Sequence, residues 1–402
     1  MLKSLHDAWW RLAATDTPSS ASDSVLLGAL KGASVLYRGA VALRNRAYDS
    51  GRAAPVRLAC PVISVGNLTV GGTGKTTCVE ALVRKLQGFG LRVGVLSRGY
   101  AGKRRHPYWL LHQDGRVLVD GQAEAQADLL ADEPQLLAWH LPGVPIGVGP
   151  RRDETGWEAI ERFKVDALIL DDGFQHRRLA RACDIVLISA RMPLGGWRLL
   201  PAGPMREPLG ALSRAHVIII TKADESLSTV SALREHLQSI NPRAVVAAAA
   251  HEPVGLIEVA AAPPPIGQPE AGLLRNPDWL RQSPIGGGVA RLERMPVGLL
   301  SSIGDPQGFA DTIRGLGAAI VSDAVYPDHH RYAMAEVRAA LSAAAAAGAA
   351  RVITTEKDLM RLRPLLAELG STQPPVWVLQ IRMRFISGED TLNARLAAVF
   401  GR

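Results

Sequence analysis

PVISVGNLTVGGTGKT, running from Pro61 to Thr76, is the stretch that decides the fold. Pro61 to Val65 is a short β-prone run, Gly71-Gly72-Thr73-Gly74-Lys75-Thr76 is a glycine-rich loop, and a helical pattern follows from about Lys75 to Gln87. In a strand–loop–helix setting, glycines let backbone N–H groups turn towards phosphate oxygens, and the helix N-terminus adds a favourable dipole. Lys75 is then placed for the β- and γ-phosphates of a nucleotide, and the Thr76 hydroxyl for Mg²⁺. The strict pattern GxxxxGK[ST] begins with glycine, whereas this chain has Thr69 there.

Outward from this loop the chain alternates strands and helices. A second strand, Arg92 to Leu96, completes a βαβ opening, and Tyr108 to Val119 alternates around Asp114-Gly115 as a hairpin. Helical patterns follow at about Ala123 to Trp139 and Glu154 to Phe163, with apolar strands at Ala167 to Leu170, Ile185 to Ile188 and Val217 to Ile220. Strands apolar on both faces belong in a parallel sheet covered by helices. Pro253 to Gly288 is rich in Pro, Gly and Ala and reads as a linker or surface insertion. Alternation resumes with strand Val297 to Ser301, helix Pro306 to Leu316, strand Ala319 to Ser322, helix Met334 to Ala346 and strand Val352 to Thr354. The expected class is α/β: a P-loop NTPase-like, doubly wound, mostly parallel sheet with a second, smaller α/β domain. The expected division is an N-terminal helix in 1–50, a P-loop domain in 51–250, a linker or insertion in 251–290 and a smaller domain in 291–402.

The strand Ala167 to Leu170 ends in Asp171-Asp172. Carboxylates at the C-terminal edge of a parallel sheet share that edge with the phosphate loop, and one of them suits Mg²⁺ directly or through water. Asp132-Glu133-Pro134 stands at a helix-like start. Acidic residues there serve as first-turn capping groups, as Mg²⁺ ligands or as acceptors of a hydroxyl proton.

With 402 residues, 47% of them hydrophobic and 21% charged, the chain can bury sizeable cores. The net charge of +8 suits an acidic partner, or reflects an arginine-rich composition alone. Aromatics make up only 5% and no basic–aromatic cluster stands out, which argues against nucleic acid. Cys60, Cys78 and Cys183 lie far apart without CxxC spacing, so neither disulfides nor structural zinc is expected.

The first 20 residues carry no apolar core with a cleavage site. Ser24 to Arg46 is largely apolar but is broken by Lys31 and Arg38, which argues against a transmembrane span. Two readings stand: a helix lying in a membrane surface with its cations towards lipid headgroups, or a helix packed on the protein's own core.

Several segments together resemble tetraacyldisaccharide 4'-kinases, enzymes of lipid A biosynthesis. They are Gly66-Asn67-Leu68-Thr69 running into GGTGKT, Ser97-Arg98-Gly99-Tyr100, Asp132-Glu133-Pro134, DDGFQH at Asp171 to His176, PAGPMREP at Pro201 to Pro208, Asp328-His329 and Thr355-Glu356-Lys357-Asp358. Thr69 at the head of the loop is itself a family feature. Departures are Ser189-Ala190-Arg191, where the family often has Asp, and Gly195-Gly196, where it often has Gly-Asn.

The resemblance implies MgATP as donor, the 4'-hydroxyl of the lipid A disaccharide 1-phosphate as acceptor, and an active site between two nucleotide-hydrolase-like domains. It implies an N-terminal helix docked on an anionic membrane surface at the cytoplasmic face of the bacterial inner membrane, with no nucleic acid and no obligate protein partner. Thr69, Val70, Gly71, Gly72, Thr73, Gly74, Lys75 and Thr76 would bind the ATP phosphates, with Lys75 also catalytic. Thr76, Glu133, Asp171 and Asp172 look like the Mg²⁺ site. Asp132 resembles the catalytic carboxylate and His329 the residue paired with it. Arg98, His176 and Arg206 are substrate-side candidates; the two arginines suit the γ-phosphate, the sugar 1-phosphate or a structural ion pair. A competing class is a GGTGKT-type switch ATPase for partitioning or metal handling, which needs neither a membrane helix nor Asp132 and His329.

Overall fold

A computed structural model describes residues 20–100, 102–104, 106–113, 116–121, 130–191, 198–224, 227–259, 274–275, 280–282 and 292–402. In chain order its longer elements begin with α1 (Ala21–Asp49), β1 (Val62–Asn67), α2 (Lys75–Gly88), β2 (Val93–Ser97), β3 (Tyr108–Gln113), β4 (Arg116–Val119), α3 (Asp132–His140) and β5 (Ile146–Val148). Next come α4 (Arg152–Phe163), β6 (Ala167–Leu170), β7 (Cys183–Ser189), β8 (Val217–Thr221), α5 (Leu227–Ile240) and β9 (Val245–Val259). The rest are β10 (Pro296–Ser301), α6 (Pro306–Gly315), β11 (Ala319–Val325), α7 (Met334–Ala346), β12 (Arg351–Thr355), α8 (Glu356–Leu369), β13 (Val376–Ser387) and α9 (Glu389–Val399).

The chain divides into two compact units: Met1–Lys75 with Asp166–Ala250 and Arg384–Arg402, and Thr76–Val165 with His251–Met383. In the first, β1 lies between β6 and β7, and β8 and β9 follow beyond β7, every pair parallel. All residues of β1, β6, β7 and β8 are buried, as expected where helices cover both faces. Leu68, Phe174, Val186, Ile218 and Leu237 belong to one of the hydrophobic clusters beside these strands.

Helix α1 uses two faces differently. Leu27 and Val41 are buried, Tyr37 packs on the first unit's core, Ser34 Oγ donates to the Leu199 carbonyl (2.8 Å) and Tyr37 Oη to the Arg206 carbonyl (3.0 Å). Nearer its end, Asn45 and Arg44 engage the buried Glu207. On the other side Val25, Val35, Leu36 and Leu43 are 69–77% exposed. One face thus packs on the protein's own core, and the opposite face leaves large apolar side chains exposed.

In the second unit β2 and β5 run parallel, β5 and β3 antiparallel, and β3 and β4 form the expected hairpin; its turn, Asp114-Gly115, is outside the described residues. Strands β13, β12, β10 and β11 lie parallel in that order around Leu299, Phe309, Ile313, Ile353 and Trp377.

Two expectations change. Of the helix expected over about Ala123 to Trp139, the part from Asp132 is helical, while Ala131 is extended (φ −77, ψ 138). Residues 122–129 lie outside the described residues, as do Gly195-Gly196, most of 260–291 and the first 19 positions. Pro253 to Val259, expected as linker, continue strand β9. Beyond Thr354, within the smaller expected domain, α8 with Pro364 inside it, β13 and α9 continue the alternation. Proline inside a helix and inside a strand removes the local signal for either, and packing overrides it.

Candidate functional site

The phosphate loop is shaped by its glycines. Gly71 (φ 108) and Gly74 (φ 82) occupy backbone conformations that side chains disfavour. A Cβ on Gly66, in the strand leading to the loop, would stand 2.6 Å from Phe174 Cβ, so the DGFQH turn packs directly on β1. Gln175 Nε2 donates to the Asn67 carbonyl (2.9 Å), and Asn67 Nδ2 donates to Thr73 Oγ1 (2.9 Å). On the other side, Val70 N–H donates to the Pro204 carbonyl and Arg206 N–H to that of Leu68. Two sequence motifs thus brace one loop. The expected residues Thr69 and Thr73 are buried beside it.

Asp171 is buried at the end of β6, and Asp172 adopts a left-handed conformation (φ 49) that Asp tolerates better than most residues. Arg206 Nη1 donates to both Asp172 oxygens (2.8 and 2.7 Å), and Lys75 Nζ stands 3.7 Å from Oδ1. Lys75, Asp172 and Arg206 therefore form one charged cluster at the loop. His176 is half-buried in the turn after Asp172, its N–H bonded to the Gly173 carbonyl. Among the described residues no three His, Cys, Asp or Glu gather as a metal cage. Mg²⁺ does not need one: a hydroxyl, one or two carboxylates, waters and phosphate oxygens are its usual shell, and Thr76, Asp171 and Asp172 are hard donors of that kind.

The second unit holds the other candidates. His329 Nδ1 is 3.1 Å from Asp132 Oδ2, joining residues 197 positions apart. Lys357 Nζ lies 3.2 Å from His329 Nε2, 3.3 Å from Asp328 Oδ1 and 3.2 Å from Glu133 Oε1. An ammonium only donates, so His329 Nε2 accepts and the ring proton sits on Nδ1, pointing at Asp132. His329 itself is held at φ 60, with its N–H on the Ser302 carbonyl (3.2 Å) and Tyr100 edge-on at 5.4 Å. Arg98 is exposed just after β2.

Asp132 is buried, which alone would raise its pKa; the hydrogen bond from His329 and the charges of Arg361 and Lys357 outweigh burial and hold it at about 2. Burial likewise works against the Lys357 charge, but Glu133, Asp328 and Asp132 push its pKa up. Arg361 extends the cluster: Nη1 is 3.6 Å from Asp132 and Nη2 2.8 Å from Asp358. Asp358 is fully buried and accepts from Ser302 N–H, Tyr332 Oη, Thr355 Oγ1 and the Ser302 hydroxyl. Sequence reasoning assigned no role to Lys357 or Asp358, although both lay in a matched segment, and it passed over Arg361. The signal was helical spacing: Lys357 and Arg361 are one turn apart on α8.

Beside α1, Lys31, Arg38 and Arg198 line a cavity of about 510 Å³ with Leu199, Met205 and Leu209 on its apolar wall. All belong to the first unit.

A family profile described as Tetraacyldisaccharide-1-P 4'-kinase (LpxK) matches residues 26–401. A protein of Anaeromyxobacter dehalogenans (strain 2CP-C) named tetraacyldisaccharide 4'-kinase is 39% identical over 98% of this chain and 95% of its own. One of the same name from Geobacter sulfurreducens is 37% identical over 94% of each. The crystal structure of LpxK from Aquifex aeolicus in complex with ATP is 27% identical, with a TM-score of 0.65 over 93% of this chain and 99% of that one. With near-complete coverage and the motif residues gathered as described, the chain belongs to the tetraacyldisaccharide 4'-kinase family.

Proposed function

We propose that this chain transfers the γ-phosphate of MgATP to the 4'-hydroxyl of tetraacyldisaccharide 1-phosphate in lipid A biosynthesis. The observation that carries the reading furthest is the pairing of His329 with the buried Asp132 carboxylate at 3.1 Å in a chain that also has a phosphate loop. A switch ATPase has no use for that pair.

Phosphoryl transfer asks the protein for positioning and charge neutralisation more than for covalent help. Backbone N–H groups from Thr69 to Thr76 and the Lys75 ammonium hold the donor's phosphates. Thr76, Asp171, Asp172 and Glu133 would hold Mg²⁺, which would supply divalent charge against the donor's phosphates. Arg206, which pairs with Asp172, neutralises phosphate as the nucleotide arrives. Asp132 accepts the hydroxyl proton. A carboxylate held at about 2 is a weak base, but in a loose transition state the nucleophile's proton leaves late, so orientation matters more than basicity. His329 N–H fixes that orientation, and Lys357 fixes the tautomer of His329.

The substrate is a glycolipid, and α1 is suited to its surroundings. By length and composition alone, residues 22–49 would reach across a bilayer. One face already packs on the protein, and Lys31 and Arg38 interrupt the span, so a helix lying in the lipid surface fits better. Its exposed apolar side enters the headgroup boundary, and the cavity walled by Lys31, Arg38 and Arg198 receives an anionic headgroup. On this reading the enzyme works at the cytoplasmic face of the inner membrane, where ATP is available. The deciding experiment is phosphate transfer from MgATP to the disaccharide 1-phosphate in detergent. ATP turnover indifferent to that lipid sinks the reading.

A further inference from the structure

Helix α3 carries Asp132 as its first residue and His140 as its last. At nine residues it is about 13 Å long. No side chain caps its start; Ala131 N–H instead donates to Tyr108 Oη (3.2 Å). What aligns Asp132 must therefore grip the helix elsewhere. At its start, Asp132 and Glu133 reach Arg361 and Lys357 of α8. At its end, the His140 ring is held on both sides: Nδ1 is 2.9 Å from Glu80 Oε2 and Nε2 is 2.8 Å from Glu356 Oε1.

Glu80 comes from α2, the helix that follows the phosphate loop, and Glu356 opens α8. Both carboxylates are buried. An imidazole can donate to two acceptors at once only when both nitrogens carry protons, so the geometry requires the cation. That charge at the last turn of α3 also suits the helix dipole. Arg84, on α2 with Glu80, bonds both Glu80 (2.9 Å) and the His140 carbonyl (3.0 Å). From β13, Gln380 Nε2 donates to Glu356 Oε1 and Ile381 N–H is 3.4 Å from Oε2. Trp139 is the adjacent ring, at 5.4 Å.

We propose that His140 is a positioning residue for phosphoryl transfer: as an imidazolium clasped by Glu80 and Glu356, it pins the far end of α3 so that Asp132 at the near end keeps its alignment with His329 and Arg361. Two attachment points at opposite ends of α3, both reaching α8, prevent the helix from pivoting, and losing one frees the carboxylate to swing. Burial alone would favour neutral His140, but its hydrogen bonds to Glu356 and Glu80 prevail and raise its pKa to about 9. The clasp therefore persists through neutral pH and opens in alkali. The proposal rests on the kinase reading for Asp132, but part of its test does not.

That part uses the full-length protein without substrate. Imidazole ¹H–¹⁵N spectra should show His140 doubly protonated up to about pH 9, and the His329 Nδ1–H resonance moving as His140 titrates. A His329 signal indifferent to that titration overturns the proposal, whatever the reaction catalysed. The second arm is His140→Gln, which lacks the charge and offers one donor nitrogen where the ring offers two. Its kcat should fall about tenfold or more with the KM for MgATP changed less than about twofold, since misplacement acts on the chemical step. A folded His140→Gln enzyme with wild-type kcat overturns it too. Should the unbalanced Glu80 prevent folding, Glu80→Gln/His140→Gln removes that charge, and its kcat is read in the same way.

Discussion

Arg361 Nη1 stands 3.6 Å from Asp132 Oδ2 while its Nη2 donates to Asp358 at 2.8 Å. One guanidinium thus ties the proposed base to a fully buried carboxylate that also holds Ser302, whose carbonyl receives His329 N–H. Arg361→Met should leave Asp132 with less charge stabilisation. Its folded pKa, now about 2, should rise towards the ordinary carboxylate range, moving the acid limb of kcat to higher pH. Loss of the bond to Asp358 should cost roughly 1.5–3 kcal/mol of stability, read from denaturant unfolding.

Lys75→Ala should lower phosphate transfer by about a hundredfold or more, the usual effect of removing a charge aimed at the transferred group. The Lys75–Asp172 contact is long at 3.7 Å, so the melting temperature should hardly move. A variant that transfers phosphate normally would take Lys75 out of the site.

Asp132→Asn keeps the shape of the side chain and removes its basicity. Steady-state kinetics should show kcat down by about a hundredfold, with the KM for MgATP little changed, as for lost general-base help.

His140 contributes to stability with a definite sign. Its folded pKa of about 9 lies above the ordinary 6.5, so the stabilisation is complete below about 6.5 and is lost as pH rises through 9. Wild-type melting temperature should drop over that window, and His140→Gln should show a flatter profile. Equal slopes for the two proteins would contradict the charge assignment.

Replacing Leu36 and Leu43 by Glu alters only exposed positions of α1. Sedimentation with anionic phospholipid vesicles should show binding sharply reduced, while the melting temperature stays put. Lys31→Ala and Arg38→Ala should each weaken binding by about 1 kcal/mol and reduce its salt dependence. Retention of both Glu variants on vesicles would assign membrane contact to another surface.

Gly66→Ala tests the brace under the phosphate loop. A methyl 2.6 Å from Phe174 Cβ forces β1 and the DGFQH turn apart, and overpacking of this kind costs about 1–3 kcal/mol. ATP affinity, followed by titration calorimetry, should weaken with it.

Much was legible because it is local. The strand, the glycine loop with Gly71 and Gly74 in left-handed conformations, helix α2 and the carboxylates closing β6 are each written in consecutive residues. Burial on both faces of β6, β7 and β8 followed from runs without polar alternation. Even the ambiguity of α1 was readable, since one apolar helix can pack and protrude at once.

Tertiary structure decided the rest. Asp132 and His329 meet across 197 positions, and nothing local in either segment announces the other. Lys357 and Arg361 gain their meaning only because α8 lies against α3, and α8 itself hides behind Pro364. Glu80, His140 and Glu356 are three unremarkable polar residues until packing buries them together and makes one of them a cation. Backbone chemistry at a loop depends on neighbouring residues, so the sequence determines it alone. Protonation and alignment depend on which charges are desolvated side by side, and only the folded chain determines that.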